Sequence, residues 1–303
     1  MERLLSNEVK EIFQILQENG HQVYLVGGIV RDYFLNRENY DFDMATSATP
    51  TEMISLLKHF DLDATDSRFG TIRIKVAGKN DIEITTFRME EYEDETRYPT
   101  KIDFVNDILI DLKRRDFTMN ALAWNHKGLI DCFHGLEDIR QSCIKTIGVP
   151  TKRFLEDPLR MLRAIRFSAQ LGFTIESDTW QAMIQMAKNL SLVSKERILV
   201  ELTKTICSSH PEMVKKIFDS GLHKEIGQHF SSLSARDAEV MAFSGQLPEE
   251  KHLRFALLFK NKSGEEAKAI LKELKADNDT IKKVKILVEY IDRKLPRNEK
   301  RMR

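Results

Sequence analysis

Residues Val23 to Thr46 read VYLVGGIVRDYFLNRENYDFDMAT, and this stretch decides the expected fold. An apolar β-like run, Val23-Tyr24-Leu25-Val26, breaks at Gly27-Gly28 and resumes as a short amphipathic helix carrying Arg31 and Asp32. A second short strand follows, bearing Asp41 and Asp43. Residues i and i+2 of a strand share a face, so the two carboxylates are expected to project together. Paired acceptor-only carboxylates repel unless a positive group lies between them, and a hard divalent cation such as Mg²⁺ does this well. The glycine pair lets backbone approach a ligand closely and precedes a helix start, which suits phosphate. Arg31 would add a charged fork to phosphate oxygens. A lone D-x-D is usually a solvated turn. Strand, GGIVRD, helix, strand and DFD in that order are far more specific, because each part supplies what the others lack.

Outward from this stretch the pattern is regular. Residues 2–18 carry apolar side chains at Leu4, Leu5, Val9, Ile12, Phe13 and Leu16, a helical period ended by Gly20. Thr49-Pro50-Thr51-Glu52 reads as a capping box opening a helix to about His59. Residues 71–76 and 81–85 alternate on either side of an AGKN turn, which predicts a hairpin. Asp81 and Glu83 share one face of its second strand, and Glu83 is the favoured candidate for a third carboxylate beside the metals. The polar, Pro-interrupted residues 89–103 read as a mobile loop.

Two later stretches carry chemistry. Leu112 to Ala121, LKRRDFTMNA, is expected to begin a helix. It would place Asp116 and Asn120 one turn apart on the face of Arg114 and Arg115, where phosphate and sugar hydroxyls can be held together. In FLEDPLRMLRAIRFSAQLGF, residues 154–173, Asp157 and Arg160 share a helix face. Cytosine and adenine each present an exocyclic amino donor beside an unprotonated ring nitrogen. An accepting Asp and a donating Arg match both bases and clash with the reversed pattern of uracil and guanine.

Taken together, these stretches resemble the nucleotidyltransferase superfamily of DNA polymerase β type. Within it they resemble the class II tRNA nucleotidyltransferases (CCA-adding enzymes) and bacterial poly(A) polymerases. The resemblance runs from about residue 20 to 205, with the motifs in order. It implies that Asp41 and Asp43 hold two Mg²⁺ ions, that Asp157 and Arg160 read the base, and that Arg163 and Arg166 face the triphosphate or the RNA. Arg197 and Glu201, in SKERILVEL, would brace the neck. The implied activity is addition of C and A residues to the tRNA 3′ end from CTP and ATP. The alternatives are addition of A alone, a poly(A) polymerase, and an RNA-binding protein that has lost catalysis. Family members restricted to CC addition lack a loop such as 89–103.

Size and composition set the frame. The 303 residues are 42% hydrophobic and 31% charged, with 47 basic and 47 acidic side chains. Such a chain can hold two or three domains, and its net charge of zero makes RNA binding a matter of a local basic face. No apolar run reaches the roughly 20 residues of a membrane span, and the N-terminus has no signal-peptide pattern. Three scattered cysteines argue for a reducing cytoplasm. The expected fold is α+β: a mixed-sheet head with helices over 1–140, then an all-α neck over 141–208 and body over 209–303. The family commonly runs longer and ends in a tail that grips tRNA. Here the chain closes on Lys282, Lys283, Lys285 and the basic run Arg297 to Arg303. It reads as a shortened natural form or a truncated one, and as a monomer or homodimer.

Overall fold

The computed structural model describes residues 1–2, 5–78, 80–91, 101–246 and 248–291. It divides into two compact units, Met1–Glu156 and Asp157–Arg303. In the first, α1 (Asn7–Glu18) starts where the Ser6 hydroxyl accepts the Val9 N–H, and it buries Val9, Ile12, Phe13 and Leu16 as their period predicts. Leu4 lies outside the described residues. Strands β1 (Val23–Val26), β2 (Asp43–Thr46), β3 (Leu62–Asp63), β4 (Thr71–Ile74) and β5 (Ile82–Thr86) join one sheet. Between them run α2 (Gly28–Phe34) and α3 (Pro50–Leu56), the latter opened by the expected Thr49–Glu52 capping box.

β6 (Arg88–Glu91) and β7 (Lys101–Phe104) form a separate antiparallel ribbon. The loop expected over 89–103 is therefore extended at both ends, with Arg88 opposite Phe104 and Glu91 opposite Lys101. Residues 92–100 of that expectation lie outside the described ones. After α4 (Ile108–Lys113), β8 (Ala123–Asn125) and β9 (Gly128–Ile130) complete a seven-stranded sheet in the order β3-β4-β5-β2-β1-β8-β9. Neighbours run antiparallel except β2 and β5, which are parallel. The mixed-sheet expectation holds.

The helix expected from Leu112 to Ala121 does not form. α4 ends at Lys113, Phe117 is extended, and Thr118–Asn120 is a single 3₁₀ turn. Tertiary pairing overrides the local pattern here. Phe117 is fully buried and bridges Thr146, and the Thr118 N–H donates to the Lys145 carbonyl at 2.9 Å.

This pairing also carries the head past its expected end at 140. Beyond α5 (Gly135–Arg140), Ile147 joins Tyr24, Val26, Phe87 and Leu112 in the core. In α6 (Pro150–Glu156), the Arg153 guanidinium donates to the carbonyls of Lys113 at 2.9 Å and Arg115 at 2.6 Å.

The described part of the second unit is helical, as expected, apart from a two-residue strand at Thr174–Ile175. It includes α7 (Leu159–Leu171), α8 (Ser177–Met186) and α9 (Lys195–Ile206), and later helices at 251–258, 264–273 and 278–291. In the last, Lys283 pairs with Asp279, and Lys285 with Glu265 and Glu289, so part of the basic run is neutralised locally. Residues 297–303 lie outside the described ones. Among the described residues, no helix is long and apolar enough to cross a membrane.

Candidate active site

The acidic edge of the sheet follows from strand geometry. Phe42 is buried, so Asp41 and Asp43 on either side of it reach solvent. Asp43 opens β2, and Asp41 lies just ahead of the strand rather than within it. The parallel register sets Glu83 directly beside Asp43, and the Glu83 N–H donates to the Phe42 carbonyl at 3.0 Å. Of the two carboxylates on that strand face, Glu83 is the one beside Asp43. It also pairs with Arg73 at 3.3 Å.

Asp43 titrates at about 6, well above its ordinary 3.8. Desolvation by the surrounding protein is the largest cause; Glu83 and Asp41 push in the same direction, and Arg115 partly offsets them. The residue is exposed at the rim, yet its carboxyl group is short of positive charge.

A hydrogen-bonded chain connects this edge to the RRDFTMN stretch. Asn39 accepts the Asp41 backbone N–H at 2.8 Å and donates to Asp32 at 2.7 Å. Asp32 accepts Arg31 Nε at 2.8 Å, Arg31 donates to Asn120 at 2.7 Å, and Asn120 donates to Asp116 at 3.0 Å. Arg31, Asp32, Asp116 and Asn120 are all buried. Asp116 and Asn120 thus meet as expected, although through a 3₁₀ turn. Arg31 differs from expectation: all three guanidinium nitrogens engage Asp32 or Asn120, so it braces the site from within instead of presenting an open fork. Asp32 and Asn39 are connecting members of this chain that sequence reasoning did not single out as site residues. Their polarity between two glycines and the DFD was the available signal, but only the fold shows that they connect.

The glycine pair ends β1 and opens α2, the break that the sequence suggests. Gly27 has φ +69°, and a Cβ there would lie 3.2 Å from an Arg115 guanidinium nitrogen. Gly28 begins α2, close to Arg31 and Asn39. Arg114 and Arg115 both pair with the fully buried Asp111.

In the second unit, Asp157 is engaged by Arg197 through two bonds, 2.7 and 3.3 Å. Arg197, expected only to brace, therefore touches the candidate base reader directly. Arg160 is buried on the first turn of α7. Arg166 is buried too, 3.2 Å from Glu201 and stacked on the Phe167 ring at 4.1 Å. It braces α7 against α9 rather than facing solvent, because Glu201 is itself buried and needs a cation. Arg163 is the more exposed of the two, 3.9 Å from the same Glu201.

Residues 23–145 match the family model described as the poly A polymerase head domain. Residues 172–232 match the one described as the probable RNA and SrmB- binding site of polymerase A. The chain is 45% identical over 203 residues to a CCA-adding enzyme of Leuconostoc mesenteroides, covering 67% of this chain and 50% of that one. It is 42% identical over 205 residues to one of Staphylococcus aureus, with the same coverage. It spans about half the length of these relatives. Among solved structures, the Bacillus stearothermophilus CCA-adding enzyme in complex with CTP superposes with a TM-score of 0.81 and 31% identity. That likeness covers 97% of this chain and 72% of that one.

Proposed function

Because the chain belongs to the family of the CCA-adding enzymes and bacterial poly(A) polymerases, we propose that it is a template-independent tRNA nucleotidyltransferase, adding C and A residues to the tRNA 3′ end. The terminal 3′-hydroxyl attacks the α-phosphorus of CTP or ATP. A new P–O bond forms, the bond to the bridging oxygen breaks, pyrophosphate leaves, and the hydroxyl proton passes to solvent. The observation that carries this reading is the parallel β2–β5 register, with Asp43 beside Glu83 and Asp41 on the same rim.

The donor set fits a hard divalent cation, and we propose Mg²⁺. Asp43 is held near 6 by burial and by two neighbouring carboxylates, a shortfall of positive charge that such an ion removes. Among the described residues, no group of three or more His, Cys, Asp or Glu side chains could hold a metal by itself. The remaining ligands of a Mg²⁺ ion there would be water and phosphate oxygens. Asp41 and Asp43 would hold it, and when bound it would stabilise charge on the attacking and leaving oxygens.

The chain's own residues supply positioning and charge. Arg115, with Arg114 behind it, neutralises triphosphate charge close to Gly27. Asp116 and Asn120 orient the sugar hydroxyls. Asp157 accepts the exocyclic amino group of cytosine or adenine, Arg160 donates to the ring nitrogen, and Arg163 faces phosphate or RNA. Residues 157–208 serve as neck and residues 209–303 as an RNA-holding body, in a cytoplasmic protein.

The test offers the protein tRNAs ending before CCA, after C and after CC, with labelled CTP, ATP or both, and Mg²⁺. Completion of all three to CCA, followed by arrest, is expected. Extension of the CC-ending tRNA alone, by ATP alone, would make it an A-adding enzyme. Unlimited A addition would make it a poly(A) polymerase. No pyrophosphate release with any substrate would sink the enzyme reading.

A further inference from the structure

Asp111 lies three residues before the first of the paired arginines and has no exposed surface. A buried carboxylate is costly unless its acceptor sites are filled by charged donors. Here one oxygen accepts Arg114 Nε at 2.9 Å and the Arg88 backbone N–H at 3.3 Å, and the other accepts Arg115 at 3.1 Å. Glu90, also largely buried, takes Arg88 at 2.8 Å and Arg114 at 3.0 Å. Two carboxylates thus hold three guanidinium groups at the root of the β6–β7 ribbon.

Arg115 is the member that reaches the nucleotide site. Its guanidinium lies beside the Gly27 backbone and acts on Asp43 across the rim. Its Nε is buried with no acceptor among the described residues. The side chain therefore takes its direction chiefly from the one bond to Asp111. Without that bond, an arginine loses the fixed fork geometry that makes it useful to a phosphate.

From this geometry we infer that Asp111 is a positioning residue for nucleotide binding: it aims Arg115 at the triphosphate and ties that aim to the ribbon through the Arg88 N–H. This rests on the nucleotidyltransferase reading above. Asp111 touches no substrate and acts through Arg115, so the two residues must be energetically coupled.

The experiment measures CTP affinity in Mg²⁺ for the wild-type chain, Asp111→Asn, Arg115→Ala and the double variant, with circular dichroism as the check on folding. Wild-type binding comes first, and its absence would overturn the nucleotide reading itself. Given wild-type binding, Asp111→Asn is expected to weaken CTP about tenfold alone and to add almost nothing once Arg115 is alanine. A purely structural role gives the same penalty in both backgrounds, and that additivity, or unchanged affinity in folded Asp111→Asn, overturns the inference. Should Asp111→Asn not fold, Asp111→Glu keeps the charge but displaces the guanidinium. It is expected to show the same Arg115-dependent loss, and unchanged or additive affinity again overturns the inference.

Discussion

Asp157 and Arg197, 40 residues apart in the chain, are joined by two nitrogen–oxygen contacts, the shorter 2.7 Å. The guanidinium fork comes from α9 and meets the carboxylate at the start of α7, where Asp157 also accepts the Leu159 N–H at 3.1 Å. A carboxylate so gripped has one orientation, which the proposed base-reading role of Asp157 requires. Arg197→Ala is therefore expected to relax the preference for CTP and ATP over UTP and GTP by about tenfold, the worth of one lost orienting contact. Turnover with the correct nucleotides should fall less. Competition assays with all four labelled triphosphates check this, and an unchanged preference would mean that Asp157 orients without Arg197.

The Asp43 carboxyl is expected to show a conflict between activity and stability. Below about pH 4 it is protonated folded and unfolded alike, so it contributes nothing. Between its ordinary 3.8 and about 6, the unfolded chain sheds the proton while the folded chain keeps it. Stability is lost as pH rises through this window, and the full penalty stands above it. Asp43→Asn should therefore raise the melting temperature of the metal-free protein at pH 7, by about 2 °C or more, and the gain should vanish below pH 4. The same variant should lose nucleotide incorporation by at least about 100-fold. Thermal melts across pH in a chelator, with parallel assays in Mg²⁺, give both readouts.

Asn39 bridges the Asp41 backbone and the Asp32 side chain. Asn39→Ala removes two hydrogen bonds, each worth about 0.5–1.5 kcal/mol. We expect a loss of about 1–2 kcal/mol in denaturant unfolding and a fall in kcat exceeding the change in nucleotide affinity. If kcat held steady in the folded variant, the connection from Asn120 to Asp41 would have no catalytic weight.

Two glycine substitutions should fail in different ways. A Cβ on Gly135 would stand 2.3 Å from the Thr118 carbonyl oxygen, backbone that cannot easily move. Gly135→Ala should cost at least about 2 kcal/mol of stability. At Gly27 the neighbour is the tip of the Arg115 side chain, and the strain comes from φ +69°. Gly27→Ala should fold with a smaller loss of about 1–2 kcal/mol and show a raised KM for CTP. Unfolding curves and initial rates separate the two.

Much of this protein was readable before any coordinate. The period of α1, the Thr49–Glu52 capping box and the 71–86 hairpin are local patterns, and local patterns act through neighbours in sequence. Asp41 and Asp43 both reach solvent around buried Phe42 for the same reason: alternation spans only two peptide bonds. The RRDFTMNA stretch shows where this stops. Its helical spacing was real, but Phe117 finds a better place bridging Thr146, and the helix gives way. The loop expected over 89–103 erred similarly, since its ends pair with each other in a ribbon.

By itself, then, the sequence determined the run of elements from α1 through β2 and α3 to the β4–β5 hairpin, the α+β class, and a set of candidate charged side chains. Only the tertiary structure decided which of them meet. Glu83 lies beside Asp43 through a parallel register, Arg197 reaches Asp157 from another helix, and Asp111 holds Arg115 in the interior. Arg31 and Arg166 turn inward to buried carboxylates. Glu83 and Asp43, both acidic, are brought together by the backbone register alone. For the four opposite-charge contacts the physical reason is the same. A charge removed from water must find its partner wherever packing brings one, and the distance between them along the chain does not enter.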